Sequence, residues 1–191
     1  MKIILASGSP RRRQLLAQVG IPCEVIVSNV DETISGEPDY QVRELAQRKA
    51  KAVRDMIIPD DRIIIAADTL VYVNGKVLGK PENHDEAFTM LKTLSGKSHT
   101  VYTGVFVLCS CKCIGFVDTA KVWFRDLSDE EINGYIATGE PFDKAGAYGV
   151  QDKGALLVDR IEGDFFTVVG LPVAKVAVAL REMGYDLWNR S

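Results

Sequence analysis

Residues 1–20 read MKIILASGSPRRRQLLAQVG, a pattern that predicts a strand passing directly into a helix. Residues 3–6 form a short apolar run of the kind found in buried strands. Ser9 is suited to cap the helix. Pro10 suits its first position, because a proline lacks the N–H that would have no helical partner there. An apolar stripe follows, and Gly20 is placed to end the helix. This strand–helix unit predicts an α/β fold.

Three arginines occupy the first turn of this predicted helix, at Arg11, Arg12 and Arg13. A helix N-terminus carries a partial positive charge, so clustered cations are unfavourable there. They become favourable when an anion binds among them, held by backbone N–H groups and by guanidinium groups. The stretch therefore predicts a phosphate-binding site.

The rest of the chain alternates between strand and helix patterns. Predicted strands cover residues 23–30, 62–73, 100–108, 114–124 and 155–161, and predicted helices cover 38–57, 85–94, 128–139 and a last segment ending near Gly184. Asn74-Gly75 predicts a tight hairpin, and Ser128 to Glu131 predicts a capping box. Because hairpins interrupt the alternation, we expect a mixed sheet.

Composition narrows the class of protein. The chain has 191 residues, of which 47% are hydrophobic and 26% charged, and its net charge is −3. This balance predicts a globular α/β protein and argues against a nucleic-acid-binding role. No apolar run approaches the roughly 20 residues of a membrane span, and no secretory signal is recognisable, so we expect a cytoplasmic protein without a membrane partner.

Three of the four cysteines lie close together, at Cys109, Cys111 and Cys113. The spacing lacks the paired C-x-x-C pattern of zinc ribbons, and neither histidine is nearby. Two interpretations stay open: a metal clip, or a strand end or turn around Lys112 in which the cysteines are small apolar residues.

Asp68 interrupts an apolar run that extends from Ile63 to Val71. A buried carboxylate without a partner is costly. Either Asp68 lies at a strand end, where it caps a helix or pairs with an arginine, or it is a metal ligand or general base with the Thr69 hydroxyl beside it.

Two lysines are also candidates for a functional site. Lys49 shares a helix face with Val42, Leu45 and Ala46. It either extends along the edge of that face towards water or directs its ammonium into a cleft. Lys80 follows the hairpin that begins in the strand of Asp68, so we expect the two to lie near each other.

Several motifs, in order, resemble the Maf family of nucleoside triphosphate pyrophosphatases. The opening S-x-S-P-R-R-x-x-L-L is present from Ser7 to Leu16, and V-x-E ends at Glu32. Further matches are L-A-x-x-K-A at 45–50, A-D-T at 67–69, G-K-P at 79–81, L-S-G-K-S-H at 94–99 and V-G-L-P at 169–172. The resemblance covers essentially the whole chain.

The resemblance implies a single domain over residues 1–191, with two lobes sharing a long, bent mixed sheet and a cleft between them. It implies hydrolysis of a nucleoside triphosphate to the monophosphate and pyrophosphate, with a divalent cation, Mg²⁺ or Mn²⁺. By position, Asp68 would be the catalytic residue and Glu32 its partner at the metal. The residues implied to bind the triphosphate are Ser7, Ser9, Arg11, Arg12, Lys49 and Lys80.

Residues 143–151 resemble the D-K-A-G-A-Y-G-[IV]-Q loop of the branch that acts on dTTP and UTP. In that branch Arg12, Thr69 and Gln151 are the positions tied to specificity. One departure is Asp152, which stands where glycine is more usual. The alternatives are a 7-methyl-GTP pyrophosphatase of the same family and a nucleotide-binding regulator without hydrolysis. The sequence also leaves a homodimer open.

Overall fold

The computed structural model describes residues 1–57 and 62–188, which form seven strands and six helices. The strands are β1 (Lys2–Leu5), β2 (Cys23–Val25), β3 (Arg62–Val73), β4 (Lys76–Leu78), β5 (Ser98–Leu108), β6 (Cys113–Phe124) and β7 (Val158–Glu162). The helices are α1 (Pro10–Gln18), α2 (Pro38–Met56), α3 (His84–Leu94), α4 (Asp129–Ile136), α5 (Phe165–Val169) and α6 (Val173–Glu182). None of the helices in these ranges is long and apolar enough to cross a membrane.

The strands form one sheet in the order β2-β1-β3-β5-β6-β7, with β4 paired to β3. β1 runs parallel to both β2 and β3, whereas β3–β4 and β6–β7 are antiparallel pairs. The predicted mixed α/β sheet is confirmed. The turn between β3 and β4 is the predicted Asn74-Gly75 hairpin, in which both residues have positive φ.

The chain divides into two compact units. The first contains Met1–Asp68, Thr103–Asp118 and Gly170–Ser191, and the second contains Thr69–Tyr102 and Thr119–Val169. Three strands, β3, β5 and β6, contribute residues to both units. The boundary in β3 falls between Asp68 and Thr69, so these neighbouring residues belong to different units.

The core of the first unit packs α2 against the central strands. Its buried residues are Ile4, Ala6, Ala46, Ala50, Val53, Ile64, Ala66, Phe106 and Leu108. Gly104 in β5 lets α2 approach closely, because a Cβ at this position would clash with the backbone carbonyl of Val42. A residue larger than glycine would push α2 outward. This contact fixes the depth of the helix that carries Lys49.

The second unit contains α3, α4, β4 and β7 together with three short 3₁₀ turns, Glu140–Asp143, Ala145–Ala147 and Asp152–Leu157. The predicted capping box at the start of α4 is confirmed: the Ser128 hydroxyl accepts from the Glu131 N–H, and the Glu131 carboxylate accepts from the Ser128 N–H. The loop at residues 143–151 contains the second of these turns.

Two predicted strands have a bound that differs from the observed one by three residues or more. The strand predicted at 23–30 ends at Val25, because its partner β1 ends at Leu5 and the last ladder bond is Ile26 N–H to the Leu5 carbonyl at 3.1 Å. The strand predicted at 155–161 begins only at Val158, which lies opposite Phe124, the last residue of β6. In both cases the partner strand sets the limit.

Candidate active site

The residues after β1 form a hydrogen-bonded turn around the hydroxyl of Ser7. This buried oxygen accepts bonds from a terminal nitrogen of Arg12 at 3.0 Å and from the Ser9 N–H at 3.3 Å. Ser9 takes the N-cap position of α1, but its side chain makes no cap bond, so the prediction that it caps the helix is wrong in this respect. Its N–H is directed to Ser7 instead.

Arg12 is buried rather than projecting into water. Its Nε donates to the Gly170 carbonyl at 2.8 Å, which ties the start of α1 to the turn before α6. Burial lowers the pKa of the guanidinium. The negative charges of Asp68 and Glu32 oppose this shift, and the positive charge of Arg11 adds to it. Arg11 is half-buried and Arg13 exposed. The three arginines therefore have different environments.

Glu32, Lys49 and Asp68 form what we call the acid–lysine cluster. The Lys49 ammonium lies 2.7 Å from the Asp68 Oδ1 and 2.7 Å from the Glu32 Oε1. The side chains of Lys49 and Asp68 are only 11% and 15% exposed, whereas that of Glu32 is 61% exposed. Asp68 in β3 and Lys49 in α2 thus meet below the surface, and Glu32 reaches them from a loop.

This geometry bears on the alternatives stated above for Asp68 and for Lys49. Asp68 has a cationic partner, the Lys49 ammonium, which donates a hydrogen bond to its carboxylate. Lys49 does not extend along the helix edge into water, because its ammonium is held between two carboxylates. The pairing offsets the cost of placing either charge below the surface.

The two carboxylates suit a divalent cation. Both contact the same ammonium, so their oxygens are at most twice 2.7 Å apart and already converge on one positive charge. Carboxylate oxygens are the ligands that Mg²⁺ and Mn²⁺ prefer. Within residues 1–57 and 62–188, no group of three or more His, Cys, Asp or Glu side chains could hold a metal. Water and substrate oxygens would have to complete the shell.

In the second unit, several contacts hold the loop formed by residues 143–151. The Gly146 N–H donates to the carbonyl of Gly79 at 2.9 Å, which links the loop to the G-K-P motif. Gly146 has a φ of 70°, and a Cβ there would press on Val71. Lys144 donates to the Glu140 carbonyl at 2.5 Å. Lys80, next to Gly79, is exposed.

Three buried aromatic residues hold the same loop, and one of them, Tyr148, belongs to it; we call His99, Tyr135 and Tyr148 the loop scaffold. His99 and Tyr148 share a hydrogen bond of 2.6 Å between Nε2 and the hydroxyl. Their rings stack edge-to-face with Phe124, an arrangement that aromatic rings favour. The Tyr135 hydroxyl accepts from the Gly149 N–H at 3.3 Å.

The loop scaffold is kept neutral by its surroundings. His99 is 2% exposed, and burial lowers its pKa to about 4. Burial also raises the pKa of both tyrosines above the ordinary value. At neutral pH these groups act as uncharged hydrogen-bonding partners, so they hold the loop rather than exchange protons.

The remaining predicted residues, Thr69 and Gln151, lie in the second unit. Thr69, the first residue of this unit, is half-buried. Gln151 is half-buried at the start of the third 3₁₀ turn. Asp152 has a φ of 53°, a conformation that glycine adopts at no cost. The departure from glycine at this position therefore introduces backbone strain next to Gln151.

Sequence patterns did not indicate the contacts made by three residues near the candidate site, Gly170, His99 and Tyr135. The Gly170 carbonyl accepts a hydrogen bond from the buried Arg12, and in the sequence Gly170 was marked only by its place in the V-G-L-P motif. His99 was visible in L-S-G-K-S-H, without an indication that it would contact Tyr148. Tyr135 lies in α4 and had no motif signal. These contacts join residues distant in sequence.

The chain belongs to the Maf family, since the family model described as Maf-like protein matches residues 2–183. Two relatives named dTTP/UTP pyrophosphatase, one from Bacillus cereus and one from Bacillus anthracis, are each 47% identical to it over 188 residues. The match covers 97% of this chain and 97% of each relative.

The fold is shared with a distant solved structure. A HAM1 protein from Coxiella burnetii superimposes with a TM-score of 0.54 over 95% of this chain and 99% of its own, at 13% sequence identity. At this identity the likeness extends to the fold alone. It agrees with the mixed α/β architecture inferred from the motifs.

Proposed function

We propose that this chain hydrolyses dTTP and UTP to the monophosphate and pyrophosphate, the activity for which its 47% identical relatives are named. The observation that carries the proposal is the acid–lysine cluster, in which one ammonium lies 2.7 Å from each of two carboxylates. A phosphoanhydride hydrolase needs both kinds of charge in one place. Cations bind the phosphates, and a carboxylate accepts the proton of water.

Asp68 is the proposed catalytic residue. Its carboxylate is largely buried, and its position in a strand fixes its direction. We propose that it takes the proton from the water that attacks the α-phosphorus. Pyrophosphate is then the leaving group, and its negative charge increases as the bond breaks. Lys49 and Arg12 supply positive charge that stabilises this developing charge more than the ground state.

Asp68 and Glu32 would also hold a divalent cation, Mg²⁺ or Mn²⁺. When bound, such an ion neutralises phosphate charge and lowers the pKa of a coordinated water. The convergence of both carboxylates on the Lys49 ammonium supports this assignment, because the pair already accommodates one cation. Chelation should abolish turnover, and either ion should restore it.

Substrate contacts are proposed for the remaining residues. Ser7, Ser9 and Arg11 surround the start of α1, whose N–H groups suit phosphate oxygens. Lys80 is exposed, and its ammonium would bind a phosphate oxygen. Thr69 and Gln151 would contact the base, since an amide can pair with the polar edge of a pyrimidine. A cytoplasmic location follows from this substrate class and is part of the proposal.

The test is pyrophosphate release from a panel containing dTTP, UTP, CTP, dATP, dGTP and 7-methyl-GTP, each with Mg²⁺ and with Mn²⁺. We expect dTTP and UTP to exceed the purine nucleotides by at least about tenfold in kcat/KM. A preference for 7-methyl-GTP would assign the chain to the alternative branch. Tight nucleotide binding without turnover would show a regulator instead.

A further inference from the structure

The turn between β5 and β6 holds two thiols side by side. Cys109 follows the last residue of β5, and Cys111 lies in the connection to β6. Their sulfur atoms are 3.7 Å apart, so the two side chains are in direct contact. Neither is bonded to another cysteine: Cys109 is half-buried and Cys111 is exposed. None of these residues takes part in the proposed hydrolysis.

The backbone explains why these two thiols meet. The Cys109 N–H donates to the Lys112 carbonyl at 2.9 Å, so residues 109 and 112 face each other across a two-residue connection formed by Ser110 and Cys111. Only one residue separates the two cysteines in sequence. The closed turn therefore keeps both sulfur atoms within a small volume.

The third cysteine of the motif is placed differently. Cys113 is the first residue of β6 and follows Lys112, the partner of Cys109. Successive side chains in a strand point to opposite faces, so Cys113 faces away from the side shared by Cys109 and Lys112. It is exposed and provides a natural control, with similar access to solvent but without the paired sulfur.

We propose that Cys109 and Cys111 form a redox-active dithiol that closes to an intramolecular disulfide by exchange with low-molecular-weight disulfides. The exposed Cys111 loses its proton to solvent, and its thiolate attacks one sulfur of the external disulfide. This step forms a mixed disulfide and releases one small thiolate, which takes up a proton. Cys109, as a thiolate, then attacks the Cys111 sulfur. The external disulfide leaves as two thiols, and the two cysteines are oxidised by two electrons.

The contact distance determines the expected product. A second thiol 3.7 Å from the first resolves a mixed disulfide within the same molecule, before a second external molecule arrives. Cys113 lacks such a neighbour on its face and should keep the external group as an adduct. Cys23 should react least, because burial raises the pKa of its thiol and so lowers its thiolate fraction.

The test treats the full-length protein with glutathione disulfide, blocks the remaining thiols by alkylation and digests with trypsin. Cleavage after Lys97 and Lys112 gives a peptide, residues 98–112, that contains Cys109 and Cys111 but not Cys113. We expect this peptide to lose two hydrogen atoms in mass and to escape alkylation. A reductant should restore both thiols.

Three variants make the result decisive. Cys113→Ser should leave the internal disulfide unchanged. Cys109→Ser should convert Cys111 into a stable glutathione adduct. Cys111→Ser should slow the reaction of peptide 98–112 by about tenfold or more. Each variant's folding is checked by circular dichroism. The proposal is overturned by a persistent adduct on Cys111 in the unmodified chain, by a disulfide that joins Cys113 to Cys109 or Cys111, or by two unreacted thiols in peptide 98–112.

Discussion

The acid–lysine cluster and the loop scaffold hold their polar groups in opposite ways. In the first unit, Lys49 lies between Asp68 and Glu32, and full charges of opposite sign are in contact. In the second unit, His99 and Tyr148 are neutral and share one buried hydrogen bond. The charged arrangement is suited to binding phosphate and moving a proton. The neutral arrangement is suited to holding a loop in one shape, so catalysis is proposed for the first and positioning of the loop for the second.

The largest expected effect is at Asp68. Asp68→Asn keeps the shape of the side chain and an oxygen that accepts from Lys49, but it removes the charge and the proton acceptor. We expect kcat for dTTP to fall by about 10²–10⁴-fold. The measurement is pyrophosphate release at saturating dTTP, with circular dichroism to verify the fold. Asp85→Asn, on the exposed first turn of α3, is the control and should retain full activity. A rate near that of the unmodified enzyme in Asp68→Asn would refute the assignment.

The loop scaffold predicts a pH-dependent stability. The folded pKa of His99 is about 4, below the ordinary value of 6.5, because burial disfavours the charged ring. Between these two values the unfolded chain binds a proton that the folded chain does not. Stability due to this group is therefore complete above pH 6.5 and is lost as the pH falls towards 4, by roughly 3 kcal/mol in total.

The contribution of His99 is measured by denaturant unfolding between pH 7 and pH 4.5. His99→Gln cannot titrate in this window but retains a polar group for the Tyr148 hydroxyl. We expect its free energy of unfolding to fall less steeply with decreasing pH than that of the unmodified chain. Tyr148→Phe keeps the buried histidine and should keep the steeper slope. Parallel profiles for the unmodified chain and His99→Gln would contradict the assignment.

A smaller effect is expected at Asp152, next to Gln151. Its φ of 53° disfavours side chains in general, although aspartate tolerates this region better than most. Asp152→Gly should stabilise the chain by up to about 1 kcal/mol in denaturant unfolding. Asp152→Ala removes the carboxylate but keeps a Cβ, and it should not stabilise. Equal gains in both variants would show that the charge, and not the backbone, is responsible.

Local patterns predicted most of the fold. Periodicity located α2 and β3, and the Asn74-Gly75 turn and the Ser128 capping box formed as expected, because each depends on residues close in sequence. The length of β2 could not be predicted, since it is set by the end of β1.

In the candidate site, too, local features were predictable and long-range contacts were not. The anomalous charges Asp68 and Lys49 marked it, because each lies where apolar residues are expected. Their direct pairing, by contrast, required the packing of α2 on β3. The bond from Arg12 to Gly170 joins residues 158 positions apart, and no local pattern indicates it. Contacts of this range depend on how the elements pack.

The most direct test of the contrast between the two regions is the ratio of kcat/KM for dTTP to kcat/KM for dGTP, measured in the unmodified chain, in Lys49→Met and in Gln151→Ala. In the proposed site Lys49 contributes charge to any triphosphate, so Lys49→Met should lower both values by about 10²-fold and leave the ratio unchanged. Gln151→Ala should lower the ratio by about tenfold or more, because a hydrogen bond to the pyrimidine is lost. A ratio that changes in Lys49→Met and stays constant in Gln151→Ala would contradict the assignment of phosphate chemistry to the acid–lysine cluster and of base recognition to the loop.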